Sequence, residues 1–244
     1  MATKKTTSAN TATEKKIEIY QDPLKYGFWK RFPYQLDDEQ KEYIKAIYDP
    51  KNIGVFVNAK AGTSKTSIGV GVGLLMTYEL GMYDKMYYIV NPTVEVASIG
   101  MLPGDFGTKC LPMRTALDQA ILQWGYDPNQ VIMNEDNLES QKFGLSKVIF
   151  TGETFMRGQT LDNAFIIVDE FENYDMKKAK KVLTRVGKNC KVVVLGCSSQ
   201  CDLKYPTDSA LPKYMNAVAD CDFVTEVKLT KTYRSKFCAW ADSV

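Results

Sequence analysis

Short, continuous runs of apolar and β-branched residues recur along the chain at positions 53–57, 86–90, 147–150, 165–168, 191–195 and 223–227. Runs this short, apolar throughout and bounded by polar or small residues, read as strands buried on both faces. Between several of them the period changes to that of a helix, over 65–80, 113–123 and 176–186. A further helix is expected in LDDEQKEYIKAIYD, with Asp37 or Asp38 near its start and Ile44, Ile47 and Tyr48 on one face. Strands alternating with helices predict an α/β fold, a mostly parallel sheet flanked by helices on both faces in a three-layer sandwich. Ligands in such sheets bind beyond the carboxyl ends of the strands. No internal repeat is visible.

The first sixteen residues, MATKKTTSANTATEKK, lack large apolar side chains and are expected to form a disordered polar tail. Residues 17–244 are expected to form one domain, with 17–50 an aromatic segment and helix belonging to it. The aromatic segment (Tyr26, Phe28, Trp29, Phe32, Tyr34, interleaved with Lys30 and Arg31) could stack on a base or pack onto the core, and packing is the commoner use.

Composition narrows the function by exclusion. The chain has 244 residues, 45% hydrophobic and 25% charged, an ordinary globular balance, and its net charge of +2 says little about partners. No apolar run reaches membrane-spanning length and the start lacks the apolar core of a signal peptide, so a cytoplasmic protein without a membrane partner is expected. Six cysteines sit at 110, 190, 197, 201, 221 and 238. The Cys197-x3-Cys201 spacing suggests zinc, but without histidine or a second close pair it reads better as thiols in a reducing compartment. The absence of histidine removes Ser-His and Cys-His nucleophile systems.

The first strand runs into Ala59-Lys-Ala-Gly-Thr-Ser-Lys-Thr66 and then a helix, the setting of a phosphate-binding Walker A loop. Successive backbone N–H groups across Ala61, Gly62, Thr63 and Ser64 and the helix N-terminus would cradle phosphates. Lys65 would bring a charge to the β- and γ-phosphates and Thr66 a hydroxyl to Mg²⁺. Two loop glycines are replaced, by Ala59 and Ser64. Ser64 matters more, because a side chain in a left-handed conformation costs about 1–2 kcal/mol. A small-residue turn that binds nothing is the alternative. Downstream, Ala164-Phe-Ile-Ile-Val-Asp-Glu170 is an apolar strand ending in two carboxylates, a Walker B pattern. Asp169 would hold Mg²⁺, directly or through water, and Glu170 would polarise the attacking water. A solvated acidic turn is the alternative for that pair.

With both motifs in place, the chain resembles the PhoH family of ATPases, which share the RecA-like P-loop NTPase core of superfamily-one helicases. The likeness runs from about Leu36 to Arg234. Residues 92–105, PTVEVASIGMLPGD, resemble the family's P-x-V-E-A-G-E-x-L-G-F-L-P-G-D; MRGQTLDNAFIIVDEFEN (156–173) resembles M-R-G-R-T-L-N-D-A-F-I-I-L-D-E-A-Q-N; LTRVGKNCKVVVLGCSSQCDL (183–203) resembles L-T-R-I-G-x-x-S-K-M-V-V-T-G-D-x-T-Q-x-D-L. The resemblance implies that Lys65, Thr66, Asp169 and Glu170 keep the roles given above. It also implies that Gln200 senses the γ-phosphate, that Gln40 reads the adenine edge, and that Arg234, in LTKTYRS (229–235), reaches the γ-phosphate. On its residues alone, Arg234 could equally form a surface ion pair. Arg157 and Arg185 match family arginines that could contact nucleic acid, stabilise transferred phosphate charge or buttress the fold. Departures are Asn91 for an arginine, Cys197 for the aspartate supporting the Mg²⁺ water shell, and Phe171-Glu172 for Ala-Gln.

The function implied is ATP hydrolysis coupled to single-stranded RNA or DNA, with helicase activity requiring assembly, since one RecA-like lobe cannot walk. A homo-oligomeric ring would supply that assembly. The competing functions are a nucleotide-gated nucleic-acid-binding module with little hydrolysis and a small-molecule kinase, which has no place for Gln200 or the Tyr-Arg-Ser segment. The short chain and altered loop fit a bacteriophage member of the family.

Overall fold

The computed structural model describes residues 22–91, 111–134 and 138–241. The polar tail at 1–16, the family-like segment at 92–105 and Cys110 lie outside them. Six strands, β1 (Gly54–Asn58), β2 (Lys85–Val90), β3 (Val148–Gly152), β4 (Ala164–Val168), β5 (Lys191–Gly196) and β6 (Val224–Val227), form one sheet in the order β3-β2-β4-β5-β1-β6. Every pairing is parallel. All carboxyl ends therefore lie on one edge, and β5 separates the strand entering the phosphate loop from the strand ending in Asp169. Each expected strand is present within a residue or two of its expected bounds.

Both faces of the sheet are covered, which is why its central strands are apolar except at their ends, where Lys191 opens β5 and Asn58 closes β1. Val55, Val57, Phe165, Ile167, Val193 and Leu195 join a core with α1 (Asp38–Tyr48), α2 (Lys65–Leu74) and α3 (Leu111–Gln123). The alternate residues Phe56, Ile166, Val168, Val192 and Val194 join a second core with α6 (Met176–Leu183) and α7 (Leu211–Val218). Short helices α4 (Pro128–Val131) and α5 (Leu138–Lys142) occupy the connection before β3, and α8 (Lys236–Ala241) follows β6. With so few residues they carry too little periodicity to be read from sequence.

Local chemistry sets the helix ends. Asp37 caps α1 in a capping box, accepting from the Gln40 N–H at 2.8 Å while the Gln40 side-chain oxygen accepts from the Asp37 N–H at 3.2 Å. The helix expected over 65–80 instead passes after Leu74 into a wider π turn over Leu75–Glu79, closed by Leu80 N–H to Leu75 O at 3.0 Å. The helix expected over 176–186 ends at Leu183, because Val186 leaves it to pair with Leu161.

The aromatic segment goes to the core. Phe28 and Phe32 stack on Trp124 with centroids 4.9 and 5.4 Å away, and Trp29 meets it edge-on at 5.4 Å. The Trp124 indole donates to Ser67 O at 2.8 Å and lies where a Cβ on Gly71 would fall 2.3 Å from its ring. Gly71 thus lets α2 settle against a tryptophan. No helix among the described residues is long and apolar enough to cross a membrane.

Candidate functional site

The phosphate loop follows β1, and its shape depends on residues with left-handed backbone. Gly62 has φ 84° and Ser64, the residue before α2, φ 67°. The sequence-based expectation that Ser64 would have to adopt this conformation is met, at a cost of about 1–2 kcal/mol. Thr63 closes the loop through its hydroxyl to Lys60 O at 3.1 Å. Buried Gln40 places its amide 3.5 Å from Thr63 O, so the same side chain that completes the α1 capping box also touches the loop. Tyr43, fully buried, donates to Lys65 O at 3.2 Å.

At the sheet's carboxyl edge two distant segments converge. Thr66 Oγ1 donates to Asp169 Oδ2 at 3.3 Å, and the Tyr88 hydroxyl donates to the same oxygen. Asp169 Oδ1 accepts from the Glu170 N–H at 2.9 Å. Burial, and next the charge of Glu170, raise the Asp169 carboxyl above the ordinary range, while Tyr88 and Lys65 oppose the shift. Burial and Asp169 push the Tyr88 hydroxyl well above 10, so it stays a donor. Glu170 is itself left-handed, φ 51°, and exposed. Held strain of this kind clusters at working sites.

Gln200 ends a 3-10 turn after β5 (Ser198–Gln200) that is tied to the phosphate-loop strand by a reciprocal pair. Asn58 Nδ2 donates to Ser198 Oγ at 2.8 Å, and the Ser198 N–H donates to Asn58 Oδ1 at 3.0 Å. A cavity of about 560 Å³ opens here, lined by Ala61, Tyr88, Asn91, Asp169, Glu170 and Gln200 among others. Arg234 approaches the loop from another side. The Tyr233 N–H donates to Gly62 O at 2.8 Å, and the Arg234 stem occupies the space beside Gly62, whose Cβ would meet Arg234 Cγ at 2.5 Å. Residues 230–233 are also fastened to the start of α1. The Thr230 N–H and hydroxyl reach the Glu39 carboxylate at 2.7 and 2.6 Å, and the Tyr233 hydroxyl donates to Asp37.

The remaining sequence-selected arginines lie elsewhere. Arg157 is exposed after β3, at the far side of the sheet. The Arg185 carbonyl accepts from the Leu161 N–H at 2.8 Å, near the amino end of β4, and its buried Nε has no hydrogen-bond partner. Cys190 and Cys197 are buried free thiols, and Cys197 Sγ lies 3.1 Å from Ser199 Oγ.

Three residues not selected from sequence matter here. Tyr88 carries no signal beyond that of a strand tyrosine. Asn91, noted as a departure, is buried and donates to Asn173 O at 2.6 Å. Glu172, another departure, is fully buried with no hydrogen-bond partner for either oxygen; burial and then the charge of Glu170 raise it to about 9, so it is a neutral acid at pH 7.

The oxygen donors of Thr66 and Asp169 suit a hard cation such as Mg²⁺, which takes one or two protein ligands and fills its shell with water and phosphate. Among the described residues there is no group of three or more His, Cys, Asp or Glu that could hold a metal ion.

The PhoH-like protein family matches residues 34–243. A PhoH-like protein of Synechocystis is 33% identical over 188 residues, covering 76% of this chain and 53% of that protein. Protein PhoH of Escherichia coli is 28% identical over 206 residues, 83% of this chain and 55% of the relative. Protein PhoH2 of Bacillus subtilis is 33% identical over 150 residues, 60% of this chain and 32% of the relative. The chain thus spans about half the length of these relatives or less. Among solved structures, the SWI2/SNF2 ATPase core of Sulfolobus solfataricus in complex with dsDNA aligns at TM-score 0.47 and 12% identity, over 81% of this chain and 45% of that one. A likeness that distant carries no functional argument.

Proposed function

Because this chain belongs to the PhoH-like family and carries a nucleotide-binding phosphate loop, we propose that it binds ATP with Mg²⁺ and hydrolyses it, coupled to single-stranded RNA or DNA. The observation that carries this reading is the convergence of Thr66 and Asp169, 3.3 Å apart, beside a cavity that Glu170 and Gln200 also line.

The loop N–H groups from Ala61 to Ser64 would receive the phosphates, and Lys65 would neutralise charge on the β- and γ-groups. Bound Mg²⁺ would supply charge neutralisation on the phosphate oxygens. Thr66 and Asp169 would hold the ion, with Tyr88 fixing the orientation of the Asp169 carboxylate. Glu170 would orient the attacking water, Gln200 would contact the γ-phosphate, and Arg234 would complete the site from the far side of Gly62. Gln40 supports the loop from below, and the adenine-edge role is its proposed second use. Family resemblance supports a homo-oligomer, with a ring as one form, working in bacterial or phage-infected cytoplasm.

Phosphate release by the purified protein, with and without single-stranded RNA or DNA, tests the reading. Turnover that nucleic acid stimulates, and that Lys65→Ala and Glu170→Gln abolish, is the expected outcome. Tight ATP binding with turnover no higher than that of Glu170→Gln would favour the second reading, a nucleotide-gated binding module. Two observations favour that alternative: the left-handed Ser64, and the buried Cys197 thiol where family members carry aspartate.

A further inference from the structure

Helix α6 begins directly after the acidic turn, capped by Asp175, and carries Lys177, Lys178, Lys180 and Lys181 in one eight-residue span. Ala179 and Val182 are its buried contacts with the core. Two lysines are committed internally. Lys178 Nζ lies 3.5 Å from Asn91 Oδ1, and Lys181 Nζ pairs with the buried Glu153 carboxylate at 2.7 Å. Lys177 and Lys180 are exposed. Helical spacing puts Lys177 one turn before Lys181 on the same side, so that side borders the 3-10 turn Glu153–Met156. On this turn Phe155 is 54% exposed, and Arg157 just beyond it is exposed as well.

An exposed aromatic ring on a turn that borders a lysine-rich helix matches a polyanion that also carries flat rings. We propose that the outer side of α6, with the Glu153–Met156 turn, is a track for single-stranded nucleic acid. Phe155 stacks a base there, and Lys177, Lys180 and Arg157 take the flanking phosphates. An anionic lipid surface would satisfy the lysines, but one aromatic side chain gives little to insert. The track is also wired to the nucleotide site: Lys178 touches Asn91, Asn91 bonds Asn173 O, and both asparagines line the cavity that holds Glu170. This inference rests on the nucleic-acid part of the functional reading and locates it.

The test is fluorescence anisotropy of a labelled uridine oligonucleotide with the full chain, comparing wild type, Lys177→Glu/Lys180→Glu and Phe155→Ala, with basal ATP turnover and melting temperature as controls. The double reversal is expected to weaken binding at least roughly tenfold and to flatten its salt dependence. Phe155→Ala is expected to weaken it roughly tenfold with the salt dependence unchanged, and basal turnover should stay at the wild-type level in both. If a variant melts early, Lys177→Gln/Lys180→Gln replaces it. Wild-type affinity in both variants would overturn the track and leave the nucleic-acid reading standing. A wild type that binds neither RNA nor DNA oligonucleotides would overturn both. Binding instead to phosphatidylserine vesicles, lost in the same variants, would make this a lipid-facing surface and also overturn the track.

Discussion

Thr66 Oγ1 and Asp169 Oδ2 stand 3.3 Å apart although 103 residues separate them in the chain. The parallel sheet brings them together, because β1 and β4 end on the same edge with only β5 between them. Neither side chain alone could hold the proposed cation, whereas together they offer two oxygens beside the loop that follows β1.

Asp169→Asn should therefore weaken Mg²⁺-dependent ATP binding by tenfold or more while leaving Mg²⁺-free binding nearly unchanged, as measured by titration calorimetry. Tyr88→Phe removes only the donor that orients Asp169 and should cost a few-fold. Equal losses with and without Mg²⁺ would assign Asp169 to packing.

Ser64→Gly relieves a left-handed serine. The strain released, about 1–2 kcal/mol, is partly offset by the extra freedom of glycine in the unfolded chain, about 0.4–1 kcal/mol. A melting temperature higher by a few degrees, with tighter nucleotide binding, is expected. Unchanged affinity would show that the serine costs stability but does not crowd the phosphates.

Gly71→Ala should destabilise although alanine is the better helix former. Its Cβ would lie 2.3 Å from the Trp124 ring, which is wedged between Phe28 and Phe32. Overpacking of this kind costs about 1–3 kcal/mol, which for a chain of this size lowers the melting temperature by roughly 5 °C. A neutral or raised melting temperature would show that the ring can move.

Glu172 makes stability depend on pH with a defined sign. Its carboxyl titrates at about 9 in the fold against 4.5 in the free side chain. Its contribution is whole below pH 4.5 and is lost as pH rises from 4.5 to 9, where the folded chain keeps a proton that the unfolded chain has released. The loss approaches about 1.4 kcal/mol per pH unit. Glu172→Gln keeps the shape of the neutral acid and should raise the melting temperature at pH 8 far more than at pH 5. Parallel melting curves at the two pH values would show that Glu172 is ionised.

Strands and the phosphate-loop motif were legible because both are written locally. An apolar run marks a two-sided strand, and a lysine and threonine after a small-residue loop mark an anion cradle. What stayed hidden arises from pairs far apart in sequence. Nothing near Tyr88 announces a bond to Asp169, and nothing near Gly71 announces Trp124. Asn91 and Glu172 were visible only as odd residues. Their burial, and the bond from Asn91 to Asn173, required the fold. Arg185 matches a family arginine, and only the fold shows its backbone bonded to Leu161 near the opposite edge of the sheet from the phosphate loop.

The fastening of residues 230–233 to Glu39, Asp37 and Gly62 means that the phosphate loop is finished by a piece of chain lying about sixty residues beyond the acidic pair. A protein trimmed to the span between its two phosphate motifs would keep both signatures and lose the latch on its nucleotide pocket. Damage to that stretch, by a protease or a premature stop, would remove these bonds to the loop and to α1 without altering a residue in either motif.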